Sequence, residues 1–180
     1  LQDWGMEEVA HKKYLNDYFR GLREGSRSRG ELYNDDPASG DARLCGTTAS
    51  LCGLETAETE AEIDLAVRLD LTLHAMVFMQ SGIPMLYSGD EVAQLNDYTY
   101  KEDPQKADDS RYLHRGKMRW DLAGRAEDLS APEGRIFQGI KKLEALREAC
   151  PAFSVYADVW LLDTGDDGLL AIGRYAEKQK

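Results

Sequence analysis

Apolar residues recur at helical spacing in three stretches of the chain, residues 6–20, 60–80 and 132–149. In each stretch, side chains three or four positions apart form an apolar stripe, which predicts a helix. The later turns of the middle stretch are apolar nearly all round, so we expect that helix to be well buried. Gly82 and Pro84 follow it and predict its end.

Two further patterns are typical of strands. Residues 83–87 form a short apolar run directly after the 60–80 helix, which predicts a buried strand joined to it by a short connection. Farther on, apolar and polar residues alternate over 155–161, a turn cluster occupies 163–168, and a second apolar run covers 169–175. This order predicts a β-hairpin.

Two segments, residues 21–41 and 90–130, show no clear periodicity and are dense in polar and turn-forming residues. We predict long loops there, and long loops inside compact domains are usually functional. A small apolar segment between them, residues 47–54, predicts a short helix. Because a lone strand cannot form a sheet, a helix, a strand and a helix with large loops predict an α/β architecture. The simplest parent is a (β/α)8 barrel, whose functional loops gather at the carboxyl ends of its strands.

The charge balance limits the classes of partner. The 180 residues carry a formal net charge of −11, which argues against nucleic acid and against anionic membrane surfaces. Neutral sugars are unaffected by this argument. The longest apolar stretch, residues 69–79, is too short and too interrupted by polar residues to span a bilayer.

The cysteines indicate the redox environment of the protein and do not indicate a metal site. Cys45, Cys52 and Cys150 are an odd number and lack the spacing of a metal site. We therefore expect reduced structural thiols in a cytoplasmic protein, and we assign neither a metal nor a cofactor. The first residues also lack the basic start and apolar core of a signal peptide.

Asp90 and Glu91, at the end of the predicted strand, are adjacent carboxylates of the kind that catalysis uses. Retaining glycosidases need two carboxyl groups about 5–5.5 Å apart across the scissile bond. Neighbours on an extended chain point to opposite sides, which makes such a pair unfavourable here. We therefore favour a structural interpretation, in which one carboxylate caps a following helical turn and the other pairs with a basic residue.

Two arginines stand beside carboxylates. Asp41 precedes Arg43 by two residues, which favours a local ion pair that either holds the arginine at the rim of a site or is an exposed pair of little energetic value. Asp108, Asp109 and Ser110 precede Arg111 and favour a turn or a helix cap, and Arg111 and His114, three residues apart, would share one side if the segment is helical. A metal site that includes His114 is a weaker alternative, because no second ligand motif accompanies it.

Aromatic residues line the same predicted loop as Arg111. They are Tyr98, Tyr100, Tyr112 and Trp120. Rings that stack on sugar faces, together with carboxylates and arginine, are what carbohydrate sites use. Packing of the loop is the alternative explanation. Serine-nucleophile and phosphate-loop motifs are absent from the sequence.

Three segments together resemble one family: GELYNDDPASGDARLCGTTASLCGLE (30–55), GIPMLYSGDEVAQLNDYTYKEDPQKADDSRYLHRG (82–116) and GRIFQGIKKLEALREACPAF (134–153). They are similar to the C-terminal part of glycoside hydrolase family 13, the α-amylase family, and within it to the amylosucrase and sucrose hydrolase branch. The resemblance implies the last part of a (β/α)8 barrel, with helix 7 over 60–80, strand 8 in GIPMLYSGDE and helix 8 over 133–149.

The same resemblance implies two domains. Residues 1–151 would belong to the barrel, including an insertion after strand 7 over about 1–58, and residues 152–180 would form the first hairpin of an all-β C-terminal domain. The fragment, mostly helical, would be truncated at both ends. The three catalytic carboxylates of the family are expected upstream of residue 1, so no catalytic residue is assigned.

Substrate-binding residues follow from the resemblance alone. Arg111 matches the arginine that helps to close the bottom of the glucosyl pocket by pairing with a carboxylate elsewhere in the barrel. Arg43 matches one near the acceptor side, whose acidic partner follows the catalytic Asp expected upstream. Asp109 and Asp41, in the same motifs, are assigned to substrate binding with them. A further set, at outer sites for longer glucans, consists of Lys12 and Tyr14.

The implied function is a fragment of a retaining α-glucan enzyme that takes glucose from sucrose and transfers it to a glucan or to water. The fragment itself is expected to be inactive, and to self-associate through apolar helix faces meant for missing neighbours. The expected partners of the intact enzyme are sucrose and α-glucans. Two alternatives stay open: another member of the family, such as an α-amylase, an α-glucosidase or a sucrose hydrolase, and a stand-alone carbohydrate-binding or interaction module.

Overall fold

A computed structural model describes residues 5–176 of the chain, which form a mixture of α-helices and two small antiparallel sheets. The helices are α1 (Glu8–Phe19), α2 (Thr48–Leu51), α3 (Glu60–Met79), α4 (Trp120–Ala123) and α5 (Pro132–Ala149). The strands are β1 (Glu31–Tyr33), β2 (Arg43–Cys45), β3 (Asp158–Leu162) and β4 (Ala171–Tyr175). The three long helices and the C-terminal hairpin confirm the predictions for these segments.

The longest helix, α3, starts at a complete capping box. The Thr59 hydroxyl accepts from the Glu62 main-chain N–H, and the Glu62 carboxylate accepts from the Thr59 N–H at 3.1 Å. These two bonds satisfy donors that a helix start otherwise leaves free. The local sequence therefore determines where α3 begins.

Helices α3 and α5 pack side by side around the main hydrophobic core. The buried residues of this core are Ala49, Val67, Phe78, Ala93, Ile136 and Ile140. Gly139 of α5 lies under Leu71 of α3 so closely that an added Cβ would be 2.5 Å from a Leu71 methyl carbon. Gly139 thus leaves the space that the Leu71 side chain occupies between the two helices.

The expectation that α3 is buried nearly all round is wrong for the described residues. Only one side of the helix is covered, and the other side leaves a row of apolar side chains exposed: Leu65, Leu69, Leu73, Met76 and Val77. Helix α5 and the segments around α2 contact α3, and the buried residues of α3 share one face: Ala66, Val67, Asp70, His74 and Phe78. The exposed row is therefore a surface that nothing in residues 5–176 covers.

The predicted strand over residues 83–87 is also wrong as secondary structure. The segment runs without any strand partner among residues 5–176, and Ile83 and Met85 are 80% and 78% exposed. A strand is defined by its hydrogen-bonded neighbour, so the apolar run forms none here. The segment that follows, predicted as a loop, holds three short 3₁₀ turns and α4.

The predicted loop over residues 21–41 contains a strand that the sequence pattern does not reveal. β1 pairs with β2 in an antiparallel register that sets Leu32 opposite Leu44 and Tyr33 opposite Arg43. Strands of three residues are too short to show alternation. Their pairing, rather than their own pattern, defines them.

Two arginines tie the end of α3 to the rest of the chain. Arg147 of α5 donates to the carbonyl oxygens of Phe78 and, at 2.6 Å, of Gly82. Arg174 of β4 donates to Met79, and both guanidinium groups lie over the ring of Phe153, at 5.9 and 5.3 Å from its centroid. Two of the carbonyls that the end of α3 leaves without helical partners, those of Phe78 and Met79, are thereby satisfied. No helix among the described residues is long and apolar enough to cross a membrane.

Candidate functional site

Asp109 and Arg111 form a bidentate ion pair. Arg111 donates from Nε to Oδ1 of Asp109 at 2.8 Å and from Nη2 to Oδ2 at 2.6 Å. The Asp109 carboxylate also caps the 3₁₀ turn Ser110–His114 by accepting from the main-chain N–H of Arg111. Two parallel bonds and a cap fix the plane of the guanidinium. The predicted cap is confirmed, and the ion pair of Asp109 with Arg111 is a contact that the sequence analysis did not predict.

The guanidinium of Arg111 also lies over an aromatic ring. Its central carbon is 4.3 Å from the ring centroid of Tyr33, which brings β1 into the site. Ser110 holds the turn to the same strand, because its hydroxyl donates to the Leu32 carbonyl at 2.7 Å. Since Tyr33 stands opposite Arg43 in the hairpin, the main chain of Arg43 lies one strand away from this stack.

The charges of this pair reinforce one another. The Arg111 hydrogen bonds lower the pKa of the Asp109 carboxyl to about 2, and the carboxylate in turn raises the pKa of Arg111. Both groups are therefore charged at any neutral pH. The Arg111 side chain remains 40% exposed, which leaves part of its fork of donors accessible to a ligand.

The other predicted residues lie in separate contacts. Asp41 does not pair with Arg43 as predicted: its carboxylate accepts from Nζ of Lys12 at 2.8 Å, which joins α1 to the turn before β2. This contact lowers the pKa of Asp41 and raises that of Lys12. Arg43 itself is exposed. Tyr14 is half exposed, stacked on Tyr18 and covered by Arg23.

Asp90 and Glu91 do not form a joint acid and base pair. Asp90 accepts from the main-chain N–H and the hydroxyl of Thr48, at 3.3 and 3.0 Å, at the start of α2. Glu91 accepts from the N–H of Gly89 at 2.8 Å. The predicted capping role is right in kind, but the capped helix precedes Asp90 in sequence, and Glu91 binds a main-chain amide instead of a basic side chain.

A polar groove of about 690 Å³ runs beside the Arg111 stack. Glu31 of β1 organises it, because its two carboxylate oxygens accept from the Tyr100 hydroxyl and from Nζ of Lys101. Burial and this carboxylate together raise the pKa of Tyr100. Further groove residues are Arg20, Tyr33, Asn34, Asp35, Asp108 and Ser110.

Sequence reasoning missed Tyr33 and Glu31, two residues whose side chains connect the 98–114 segment to the hairpin. Only the pairing of β1 with β2 could have pointed to these two residues, and strands of three residues are too short to show it in the sequence. In the part of the chain that the structure describes, no group of three His, Cys, Asp or Glu side chains could hold a metal ion. No known protein-family model matches the chain.

Proposed function

We propose that these 180 residues are part of a retaining α-glucan enzyme of the amylosucrase type, which transfers glucose from sucrose to a glucan or to water. The observation that carries the proposal is the Asp109–Arg111 pair lying against Tyr33. Residues far apart in the two segments that resemble this family, 30–55 and 82–116, thus meet in one cluster. A planar guanidinium beside an aromatic ring and a carboxylate can recognise sugar hydroxyls by hydrogen bonds in fixed directions.

In this proposal Arg111, oriented by Asp109, binds a glucosyl hydroxyl, and Arg43 binds on the acceptor side. The bidentate pair fixes the direction in which the remaining guanidinium donors point, so the entropy lost on sugar binding is small. Lys12, Asp41 and Tyr14 belong to an outer surface for longer glucans. The catalytic carboxylates lie outside the 180 residues.

The same proposal takes residues 1–151 as part of a (β/α)8 barrel and residues 152–180 as the start of an all-β domain. Two features support it. Residues 83–87 leave large apolar side chains exposed, as expected for a barrel strand whose neighbours are elsewhere. In addition, α3 and α5, which flank this segment in sequence, pack on each other as consecutive barrel helices do.

The three free thiols suit a cytoplasmic location.

The test is sucrose turnover by two proteins. The 180-residue chain should release no fructose from sucrose, whereas the full reading frame that contains it should release fructose and form glucose or glucan. Replacing Arg111 by Ala in the full protein should lower kcat/KM by about a hundredfold, the loss expected for two charged hydrogen bonds. Arg68→Ala, at an exposed arginine of α3 away from the site, is the matched control. Absence of sucrose turnover by the full protein, or turnover by the 180 residues alone, would refute the proposal.

A second candidate is a stand-alone carbohydrate-binding module, which the polar groove beside Glu31 favours. Calorimetric titration of the 180-residue chain with sucrose and maltooligosaccharides separates the two. Saturable binding without turnover supports the module, and absence of binding supports a half-built site. Hydrolysis of maltooligosaccharides rather than sucrose by the full protein would indicate an α-amylase or an α-glucosidase.

A further inference from the structure

A groove runs along the contact of α3 with α5, and we call it the α3–α5 groove. Its volume is about 480 Å³, within the range of about 300–1,000 Å³ for small-ligand sites. Its apolar walls come from three parts of the chain: Val67 and Leu71 of α3, Leu143 of α5, and Leu129 of the loop before α5. The groove can therefore hold the carbon chain of a small molecule.

Three cationic side chains line the same groove, and among residues 5–176 no carboxylate does. They are Arg68 of α3 and Arg135 and Lys142 of α5. Arg135 and Lys142 lie two turns apart on their helix, which sets them on the same face. The whole chain carries a net charge of −11, so the lining of the α3–α5 groove is opposite in sign to the protein as a whole.

Two carboxylates among the described residues contact the lining from outside and do not cancel its charge. Asp64 contacts Nη2 of Arg135 and, at 3.3 Å, Nε of Arg68. Glu127 accepts from Nε2 of Gln138 at 2.9 Å. Three cations thus meet two carboxylates, which leaves one positive charge in excess.

The cationic groups at the groove are open to solvent. The Arg68 side chain is 69% exposed. Lys142 is exposed as well and forms no ion pair within residues 5–176. A ligand can therefore reach both groups without displacing a buried contact.

We propose that the α3–α5 groove binds a small carboxylate with an apolar chain, its head on Lys142 and Arg68 and its chain along the apolar walls. A planar carboxylate matches the donor fork of arginine, and its single negative charge balances the excess of one. Burial of the chain supplies affinity, and the cations select an anionic head over a neutral or positive one. The inference is independent of the proposed activity on sucrose.

The experiment compares three probes with the same alkyl chain, octanoate, octan-1-ol and octylammonium, by calorimetry and by chemical-shift changes in the 180-residue chain. Octanoate should bind saturably and about fivefold more tightly than octan-1-ol, since exposed charge contacts are individually weak. Octylammonium should bind more weakly than either. High salt should reduce the preference for octanoate, because it screens exposed charges. Equal binding of octanoate and octylammonium, or no saturable binding of octanoate, would overturn the proposal.

A lysine variant tests the head of the ligand. Lys142→Gln should weaken octanoate binding about threefold and leave octan-1-ol binding unchanged. Lys141→Gln is the matched control, because Lys141 is the preceding residue of the same helix but lies over the ring of Phe137 and does not line the groove. Equal effects of the two variants on octanoate would contradict the assignment of the head to Lys142.

A leucine variant tests the chain of the ligand. Leu129→Ser should weaken octanoate and octan-1-ol to the same extent, about fivefold, because it removes part of the wall that covers the chain. Leu22→Ser is the control at a leucine of similar exposure, 62% against 64% for Leu129, and should change neither. Octanoate bound equally well by the wild type and by Leu129→Ser would overturn the assignment to this groove.

Discussion

Nη1 of Arg174 donates a 2.7 Å hydrogen bond to the main-chain carbonyl of Met79, the last residue of α3. The same guanidinium donates from Nε to Ala152 at 2.8 Å and from Nη2 to Ser154 at 3.2 Å. One side chain of the C-terminal hairpin therefore satisfies three carbonyls in two other segments. The hairpin is attached to the helices through a group that only arginine supplies.

Replacing Arg174 by Lys should lower the free energy of unfolding by about 1–3 kcal/mol, because an ammonium on a flexible stem cannot reach three carbonyls in fixed directions. Urea denaturation followed by circular dichroism measures the change. Arg20→Lys, at an exposed position, is the control and should have no effect. Equal stability of the two variants would show that the three carbonyls do not depend on Arg174.

The capping box of α3 gives a second prediction. Thr59→Ala removes the hydroxyl that accepts from Glu62 and should cost about 1 kcal/mol of stability. Thr72→Ala is the matched control within the same helix, because the Thr72 hydroxyl only donates back to the carbonyl of Arg68, a contact that adds little to a helix. Thermal melts of both variants should separate them; a larger loss for Thr72→Ala would contradict the assigned start of α3.

The Asp109–Arg111 pair predicts a pH effect with a defined direction. The folded pKa of Asp109, about 2, lies below its unfolded value of 3.8. The stabilisation from this pair is therefore present above 3.8 and is lost as the pH falls through the folded value. Carboxyl-carbon NMR should follow this titration, and Arg111→Ala should move the midpoint upward toward 3.8. An unchanged midpoint in that variant would show that Arg111 does not cause the lowered pKa of Asp109.

A buried pair inside α3 predicts the opposite pH direction. Nδ1 of His74 lies 2.9 Å from Oδ1 of Asp70, and the two residues are 5% and 1% exposed. The contact is close but poorly aligned, since neither Asp70 oxygen has a hydrogen-bond donor, so we treat it as electrostatic. Burial opposes the charged imidazole, but the Asp70 carboxylate outweighs burial and raises the pKa of His74 above 6.5. Burial raises the pKa of Asp70 itself.

His74→Ala should destabilise the chain by roughly 3 kcal/mol, because it leaves Asp70 buried without a counter-charge. Changing both residues, with Asp70→Asn and His74→Gln, should cost less. In the wild type the contribution of the charged imidazole is present below 6.5 and is lost as the pH rises through the folded pKa. Urea denaturation at a series of pH values on both sides of the pKa of His74 measures this contribution to the unfolding free energy. If the unfolding free energies of the wild type and of the double variant depended on pH in the same way, the Asp70–His74 pair would not be the source of that dependence.

The uncovered apolar row predicts self-association. Leu69 of α3 is 44% exposed and Met85 is 78% exposed, and large apolar patches mark surfaces that become covered. Sedimentation velocity should show a sedimentation coefficient that rises with concentration, and Leu69→Lys together with Met85→Lys should remove the rise. Leu22→Lys, which changes a leucine that is 62% exposed in a loop, should leave it. A concentration-independent monomer in the wild type would refute the expectation.

Helices were predictable from sequence where local signals determine them, and the pairings were not. The bounds of α3 and α5 follow from apolar spacing, from Thr59 with Glu62, and from the proline that opens α5. By contrast, β1 exists because it pairs with β2, and residues 83–87 form no strand because no partner is present in residues 5–176. Strand formation depends on distant residues, which single-sequence patterns do not reveal.

The candidate site shows the same division. The cap formed by Asp109 was predictable because its signal, Asp-Asp-Ser, is local, whereas the pair of Asp109 with Arg111 is equally local and was not predicted. The contact of Arg111 with Tyr33 and the pairing of Asp41 with Lys12 were not predictable, because each joins segments that lie far apart in sequence. The aromatic residues singled out from composition include Tyr100, whose hydroxyl binds Glu31. Its position in the groove became visible only once β1 was in place.

The close approach of Gly139 to Leu71 links two positions that are 68 residues apart in the sequence. A Cβ at 139 meets the methyl groups of Leu71 in their present position, so a larger residue there requires that the side chain at 71 move or become smaller. In a library that randomises both, alanine at 139 should survive together with alanine or valine at 71 and be depleted beside leucine. We therefore expect the residues at positions 71 and 139 to vary together. A correlation between these two positions across functional sequences would then report how closely the two helices approach.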